Sequence, residues 1–124
     1  YSPNKTPDQR SFFNKLNNYI EEYVANTELR LIVGGDFNVP LNPALIVLSG
    51  GIHPERTQLK IQDLCLDFDL VDIWRVRNPQ TKRFTWRQKS PFIQTRLNYC
   101  LISDCCQEDI EKSDIVPSIN SDHS

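Results

Sequence analysis

The chain has 124 residues, 39% of them hydrophobic and 24% charged, with a formal net charge of −2 and four cysteines. Those proportions are ordinary for one soluble globular domain and exclude a disordered tail or a disulfide-dense secreted scaffold. No apolar run approaches the roughly 20 residues of a membrane span, and Tyr1-Ser2-Pro3-Asn4-Lys5 lacks the apolar core of a signal peptide.

Thr6-Pro7-Asp8-Gln9 predicts a helix start, with Thr6 as N-cap, Pro7 at the first helical position and Gln9 closing a capping box. Phe12, Phe13, Leu16, Tyr19, Ile20, Tyr23 and Val24 then recur at three-to-four-residue spacing, which makes one apolar face. Leu29 to Val33 is apolar at nearly every position and predicts a strand covered on both sides in a mostly parallel sheet. It runs into Gly34-Gly35-Asp36-Phe37-Asn38. Ligands in such sheets sit outside the carboxyl ends of the strands, so Asp36 stands at an active edge. Asn38 shares its face if the chain stays extended, and Phe37 points the other way into packing.

Pro40, Pro43, Gly50 and Gly51 bracket a loop with at most a short helical turn. Glu55 to about Phe68 predicts a second helix, with Pro54 near its start and Leu59, Leu64 and Phe68 facing inward. Phe84-Thr85-Trp86 and Arg96 to Ile102 predict two paired strands with a basic loop, Arg87 to Thr95, between them. Asp104 to Lys112 reads as a short acidic helix or loop, and Ile115-Val116 as the start of another strand.

Charge is unevenly spread. Between Arg75 and Arg96 lie seven Lys or Arg and no acid, half of the 14 basic residues, interleaved with Trp74, Phe84, Trp86 and Phe92. That combination suits a phosphate backbone with bases nearby, with Arg83, Arg87, Lys89 and Arg96 as candidate nucleic-acid contacts. The same run also describes a solvated hairpin with its aromatics turned inward, and Trp74 and Trp86 are the kind of residue that fills cores.

Cys65, Cys100, Cys105 and Cys106 have no metal-ligand spacing, and the adjacent pair does not easily bridge. The resulting expectation is a reduced, intracellular protein of nucleus or cytoplasm without a membrane partner. With His53 and His123 the only histidines, any metal would be a hard, oxygen-ligated cation.

Six segments occur in a meaningful order: Tyr1-Ser2-Pro3-Asn4, Gly34-Gly35-Asp36-Phe37-Asn38, Asp72-Ile73-Trp74-Arg75, Phe84-Thr85-Trp86, Arg96-Leu97-Asn98-Tyr99 and Ser121-Asp122-His123. Together they resemble the endonuclease/exonuclease/phosphatase superfamily, and most closely the endonuclease domains of non-LTR retrotransposons. The resemblance runs nearly end to end and implies an α/β fold: the C-terminal part of a four-layer sandwich, with residues 1–124 the C-terminal portion of one domain. The lack of any methionine agrees with a chain that begins within a larger one.

The resemblance also implies a chemistry, hydrolysis of DNA phosphodiester bonds by in-line attack of water with Mg²⁺ or Mn²⁺. Asp36 would accept a proton from water, Asn38 would donate to a phosphate oxygen or orient the nucleophile, and His123 would stabilise developing charge. Asp122 would hold the metal directly or through water, and Tyr1 matches the family tyrosine that contacts the scissile phosphate. Asp36 alone would also fit a turn cap. Two features depart from the family pattern. Asn98 stands where aspartate supports the catalytic histidine, and the family's N-terminal half, with its metal-binding glutamate, has no counterpart in the 124 residues. The alternatives are therefore a phosphodiesterase or phosphatase of the same superfamily, and a non-catalytic or decayed remnant that at most binds nucleic acid.

Overall fold

Helix α1 spans Thr6–Tyr23. In the computed structural model, which describes residues 2–42, 47–48, 55–118 and 123, its N-cap is Lys5 rather than Thr6, and no side chain caps it. Gln9 closes no capping box. It is buried, and its side-chain amide donates to the Asn38 carbonyl at 3.2 Å, tying the first turn of α1 to the end of the first strand.

That strand, β1, covers Ile32–Asp36, three residues later than the apolar run predicts. Leu29 is 67% exposed and Ile32 64% exposed, so β1 is not covered on both sides. The reason is topological: β1 is the edge of a three-stranded sheet ordered β1-β6-β3, where β3 is Leu70–Asp72 and β6 is Asn98–Ser103. Both pairings in this sheet are antiparallel, which replaces the expected mostly parallel arrangement.

The central strand carries the packing. Tyr99 and Leu101 of β6 join Phe13 and Ile20 of α1, and Ile61 and Leu64 of helix α2 (Glu55–Asp67), in the main core beneath one sheet face. Ile102, one residue along, points to the other face and packs with Ile73 and Cys106. Leu64 faces inward and Phe68 packs against the core as predicted, but Leu59 is 56% exposed and Ile61 takes the inward position. Phe37 does point into packing as predicted: it stacks on Phe13 at 5.9 Å and meets Tyr99 edge-on at 5.4 Å.

β3 passes directly into the short helix α3, Ile73–Arg77, whose N-cap Asp72 accepts from the Arg75 backbone N–H. Trp74 on this helix is buried. A second small antiparallel sheet, ordered β2-β5-β4, joins β2 (Val47–Leu48), β5 (Ile93–Thr95) and β4 (Trp86–Gln88). The basic segment thus forms its own hairpin, β4 with β5, and does not merely link two strands paired to each other. A 3-10 helix covers Asp104–Asp109, and Ile115-Val116 forms no strand. Among the described residues no helix is long and apolar enough to cross a membrane.

Candidate active site

Antiparallel pairing sets Asp36, the last residue of β1, directly opposite Asn98, the first residue of β6. Residues in that relation share a sheet face, so the carboxylate and the amide stand side by side on the face away from α1 and α2. The imidazole of His123 closes the group. Its Nδ1 lies 3.1 Å from Asn98 Oδ1 and 3.8 Å from Asp36 Oδ2. An amide oxygen only accepts, so the Nδ1–H donates to it and Nε2 is left as the basic nitrogen of the neutral ring.

Backbone hydrogen bonds fix each member. The Thr85 hydroxyl accepts from the backbone N–H groups of both Leu97 (2.9 Å) and Asn98 (3.1 Å), and so pins the start of β6. Phe37 N–H donates to the Leu97 carbonyl and Ser2 N–H to the Asp36 carbonyl, each at 2.8 Å. His123 bridges the Trp86 backbone of β4 in antiparallel fashion, so the hairpin supports the histidine.

Asn38 departs from the predicted geometry. Its φ is 52°, a left-handed conformation that asparagine tolerates better than most residues, so the chain does not stay extended after Asp36. Its side-chain amide donates to the Ser2 carbonyl at 2.6 Å, and its backbone N–H donates to Asp36 Oδ1 at 2.9 Å. Asp36 therefore caps this turn with one carboxylate oxygen and turns the other towards His123. The turn-capping reading of Asp36 is thus met by one oxygen, and the other is left on the side of the imidazole.

Tyr1 and Asp122 lie outside the described residues, as do His53 and Pro54. Of the basic candidates, Arg83, Arg87 and Lys89 are exposed on and beside the hairpin, with Arg83 also donating to the Ile115 carbonyl at 2.8 Å. Arg96 corrects the prediction of a basic surface residue. Only 8% exposed, it forms an ion pair with Asp72 and lies over the rings of Trp74 and Tyr99 at 4.9 and 4.6 Å. Its charge is consumed inside the fold.

The donor set for a cation is incomplete. Among the described residues no group of three or more His, Cys, Asp or Glu side chains is placed to hold a metal, and the only acidic side chain described at this site is Asp36. A hard cation takes about six or more oxygen ligands, so these residues do not by themselves make a metal site. What they do make is a part-buried carboxylate beside an imidazole, with side chains 10% and 31% exposed, the two kinds of group that general acid–base chemistry uses.

Sequence reading passed over the residues that place these groups. Thr85 reads as one position of a strand, Gln9 as a helix cap and Ser2 as an N-terminal match, yet each positions Asp36, Asn38 or Asn98. A short polar residue inside an apolar-aromatic motif, as in Phe84-Thr85-Trp86, is the local signal that marks Thr85.

No family model matches the chain. The crystal structure of the AP endonuclease LMAP from Leishmania major superposes on 94% of it with a TM-score of 0.67 at 19% sequence identity. The chain shares the α/β fold of the matching part of that structure, which is of the endonuclease/exonuclease/phosphatase type. A transposon TX1 uncharacterized 149 kDa protein of Xenopus laevis is 30% identical over 128 residues, covering 100% of this chain. The chain spans 9% of that protein and 40% of the LMAP chain. An endonuclease/exonuclease/phosphatase fold with antiparallel sheets thus answers the expected α/β class, and the sequence relationship is to a transposon protein.

Proposed function

We propose that the chain is the C-terminal portion of a divalent-cation-dependent endonuclease domain of the retrotransposon kind, which hydrolyses DNA phosphodiester bonds. The observation that carries this reading is the convergence of Asp36, Asn98 and His123 from three distant parts of the sequence at one sheet end. In that arrangement Asp36 accepts a proton from the attacking water. His123 stands beside it to stabilise charge on the phosphoryl oxygens or to protonate the leaving group. Asn98 holds Nδ1–H and so fixes which ring nitrogen faces substrate. Mg²⁺ or Mn²⁺, when bound, would neutralise phosphate charge. Asp122 and phosphate oxygens are the natural complements to the single carboxylate of Asp36.

DNA would be tracked by Arg83, Arg87 and Lys89, whose exposure on and just before one hairpin supplies the positive surface that a phosphate backbone attracts. Tyr1 and Asn38 complete the proposal, Tyr1 as a contact to the scissile phosphate and Asn38 by donating the second hydrogen of its side-chain amide to a phosphate oxygen or by orienting the water.

The test is a longer chain that includes the upstream part of the domain, assayed for nicking of supercoiled plasmid with Mg²⁺ and with chelator. Cleavage that requires the cation and is abolished by Asp36→Asn and by His123→Ala supports the proposal. Cleavage indifferent to both substitutions overturns it. One observation favours a second reading, a nucleic-acid-binding remnant without catalysis: the partner of His123 is an amide and brings no charge to an imidazolium. Plasmid binding that depends on Arg83 and Arg87, with no cation-dependent nicking by a folded longer chain, would favour it.

A further inference from the structure

The basic run from Arg75 to Arg96 carries four aromatics in and beside it, and the fold treats them unequally. Trp74 is buried, Phe84 and Trp86 are half-buried, and Phe92 alone of the four is exposed, at 49%. Phe92 is the last residue of Lys89-Ser90-Pro91-Phe92, the turn that joins β4 to β5 across the closing pair of Gln88 and Ile93, and the whole turn is exposed. An aromatic ring therefore stands at the tip of the hairpin, with exposed Lys89 in the same turn and exposed Arg87 on the adjoining strand.

The stem of this hairpin is anchored in the candidate site. Trp86, at its base, pairs with Thr95 of β5 and bridges His123, and the preceding Thr85 accepts the Asn98 backbone N–H. From Thr95 back to Phe92 the chain rises about 10 Å at about 3.3 Å per residue, which matches about three base steps of a duplex at about 3.4 Å each. Backbone pairing thus holds the ring at a set distance from the imidazole. A phosphate backbone attracts Lys89 and Arg87, but a phenyl ring gains nothing from phosphate and is stabilised only when apolar surface covers it. An apolar side chain among cations at an exposed tip is suited to entering between stacked bases, and the cost of opening a step is lowest at flexible pyrimidine–purine steps.

We propose that Phe92 is a specificity-determining residue, whose ring wedges into a base step about three base pairs from the bond that Asp36, Asn98 and His123 attack, so that cleavage falls at a fixed offset from flexible pyrimidine–purine steps. The inference rests on the reading of the chain as part of a DNA endonuclease and adds to it a rule for target choice. Lys89 and Arg87 hold the flanking phosphates and carry no sequence information themselves.

The test uses the longer chain and short duplexes with one pyrimidine–purine step, whose purine is the fluorescent analogue 2-aminopurine, bound in the presence of chelator so that nothing is cut. Unstacking by the wedge should raise the fluorescence at saturation. Phe92→Ala should abolish that rise and weaken binding ~10-fold, and Phe92→Tyr should keep both. Arg87→Gln should weaken binding while leaving the rise at saturation intact, which separates the ring from the charge. With Mg²⁺, mapped nicks of the unsubstituted chain should lie at a constant offset from pyrimidine–purine steps, and those of Phe92→Ala should scatter. No rise from a duplex-bound chain, or an equal rise with Phe92→Ala, overturns the proposal even where nicking is intact. Absence of nicking alone counts against the nuclease reading and leaves the wedge to be decided by the fluorescence, and failure to bind duplex at all overturns both.

Discussion

Thr85 holds Asn98 in place through its backbone: the buried threonine hydroxyl accepts the Asn98 backbone N–H at 3.1 Å and the neighbouring Leu97 N–H at 2.9 Å. The histidine partner is thus set by a hairpin residue thirteen positions upstream. Thr85→Val keeps the shape and deletes the acceptor of one buried and one part-buried N–H, and should cost roughly 2 kcal/mol. Thr85→Ser should recover most of it. Denaturant unfolding gives both values, and faster amide exchange at Leu97 and Asn98 in the valine variant alone locates the loss.

Replacing Asn98 by aspartate puts a carboxylate against His123 Nδ1, where the amide oxygen now lies 3.1 Å away. In a serine-protease triad the reverse exchange, carboxylate to amide, costs about 10⁴ in rate. In a longer chain that nicks DNA, Asn98→Asp should therefore raise cleavage, by up to that order, with little change in plasmid affinity. A folded Asn98→Asp chain with no gain in nicking would count against a supporting role for this position.

The basic residues should divide into two classes. Arg83→Glu with Arg87→Glu should leave stability nearly unchanged while reducing the slope of log affinity for DNA against log salt by about 1 per lost phosphate contact. Arg96→Ala should do something different. It strands the Asp72 carboxylate, 13% exposed, without its ion-pair partner, and removal of one member of a buried pair costs about 3–5 kcal/mol. Salt titrations of DNA binding alongside thermal unfolding of the same variants separate the two.

Tyr99 gives the fold an alkaline limit. Burial pushes its hydroxyl up to about 12, with the Leu41 N–H and the Arg96 and Arg75 charges pulling partly the other way. A raised folded value means that its share of stability is whole below the unfolded value of about 10 and is lost as pH rises towards about 12. The loss is of order 3 kcal/mol. Unfolding midpoints across that window should fall steeply, with tyrosinate absorbance appearing in step with unfolding. Tyr99→Phe should flatten this component while lowering stability at neutral pH, since the hydroxyl bonds Leu41 N–H at 2.9 Å and the Val39 carbonyl at 3.0 Å.

Exposed apolar side chains predict self-association of the 124-residue chain. Ile32 and Leu29 at the edge strand and its approach are about two-thirds exposed, and Leu66 on α2 is 81% exposed. Light scattering should find concentration-dependent oligomers, and Ile32→Lys should shift them towards monomer by charging the sheet edge. A monodisperse monomer at all concentrations would oppose the expectation.

Local patterns in the sequence carried the helices and the family motif well. The α1 stripe of Phe13, Leu16 and Ile20 and the α2 span appear as read, because helical periodicity is written in neighbours three and four apart. Gly34-Gly35-Asp36-Phe37-Asn38 marked the strand end for the same local reason. What stayed hidden depends on distant partners. Arg96 looks like surface charge until Asp72, twenty-four residues away, is brought beneath it. The exposure of Ile32 likewise follows from strand order, which no window of sequence contains. Gln9 fits a capping box by spacing, yet its side chain bonds the Asn38 carbonyl twenty-nine residues on.

The pairing of Asp36 with Asn98 also makes the site a matter of counting. Side chains alternate faces along a strand, so one residue inserted between Asn98 and Tyr99 would leave Tyr99 and Leu101 in the core while turning Asn98 to the helix-covered side, away from Asp36. Such a chain would keep its helices, its sheet and nearly all its composition. A single inserted residue before Tyr99 is thus enough to dismantle the constellation without dismantling the protein, and single-residue length changes in β6 are tolerable only where that constellation has no task.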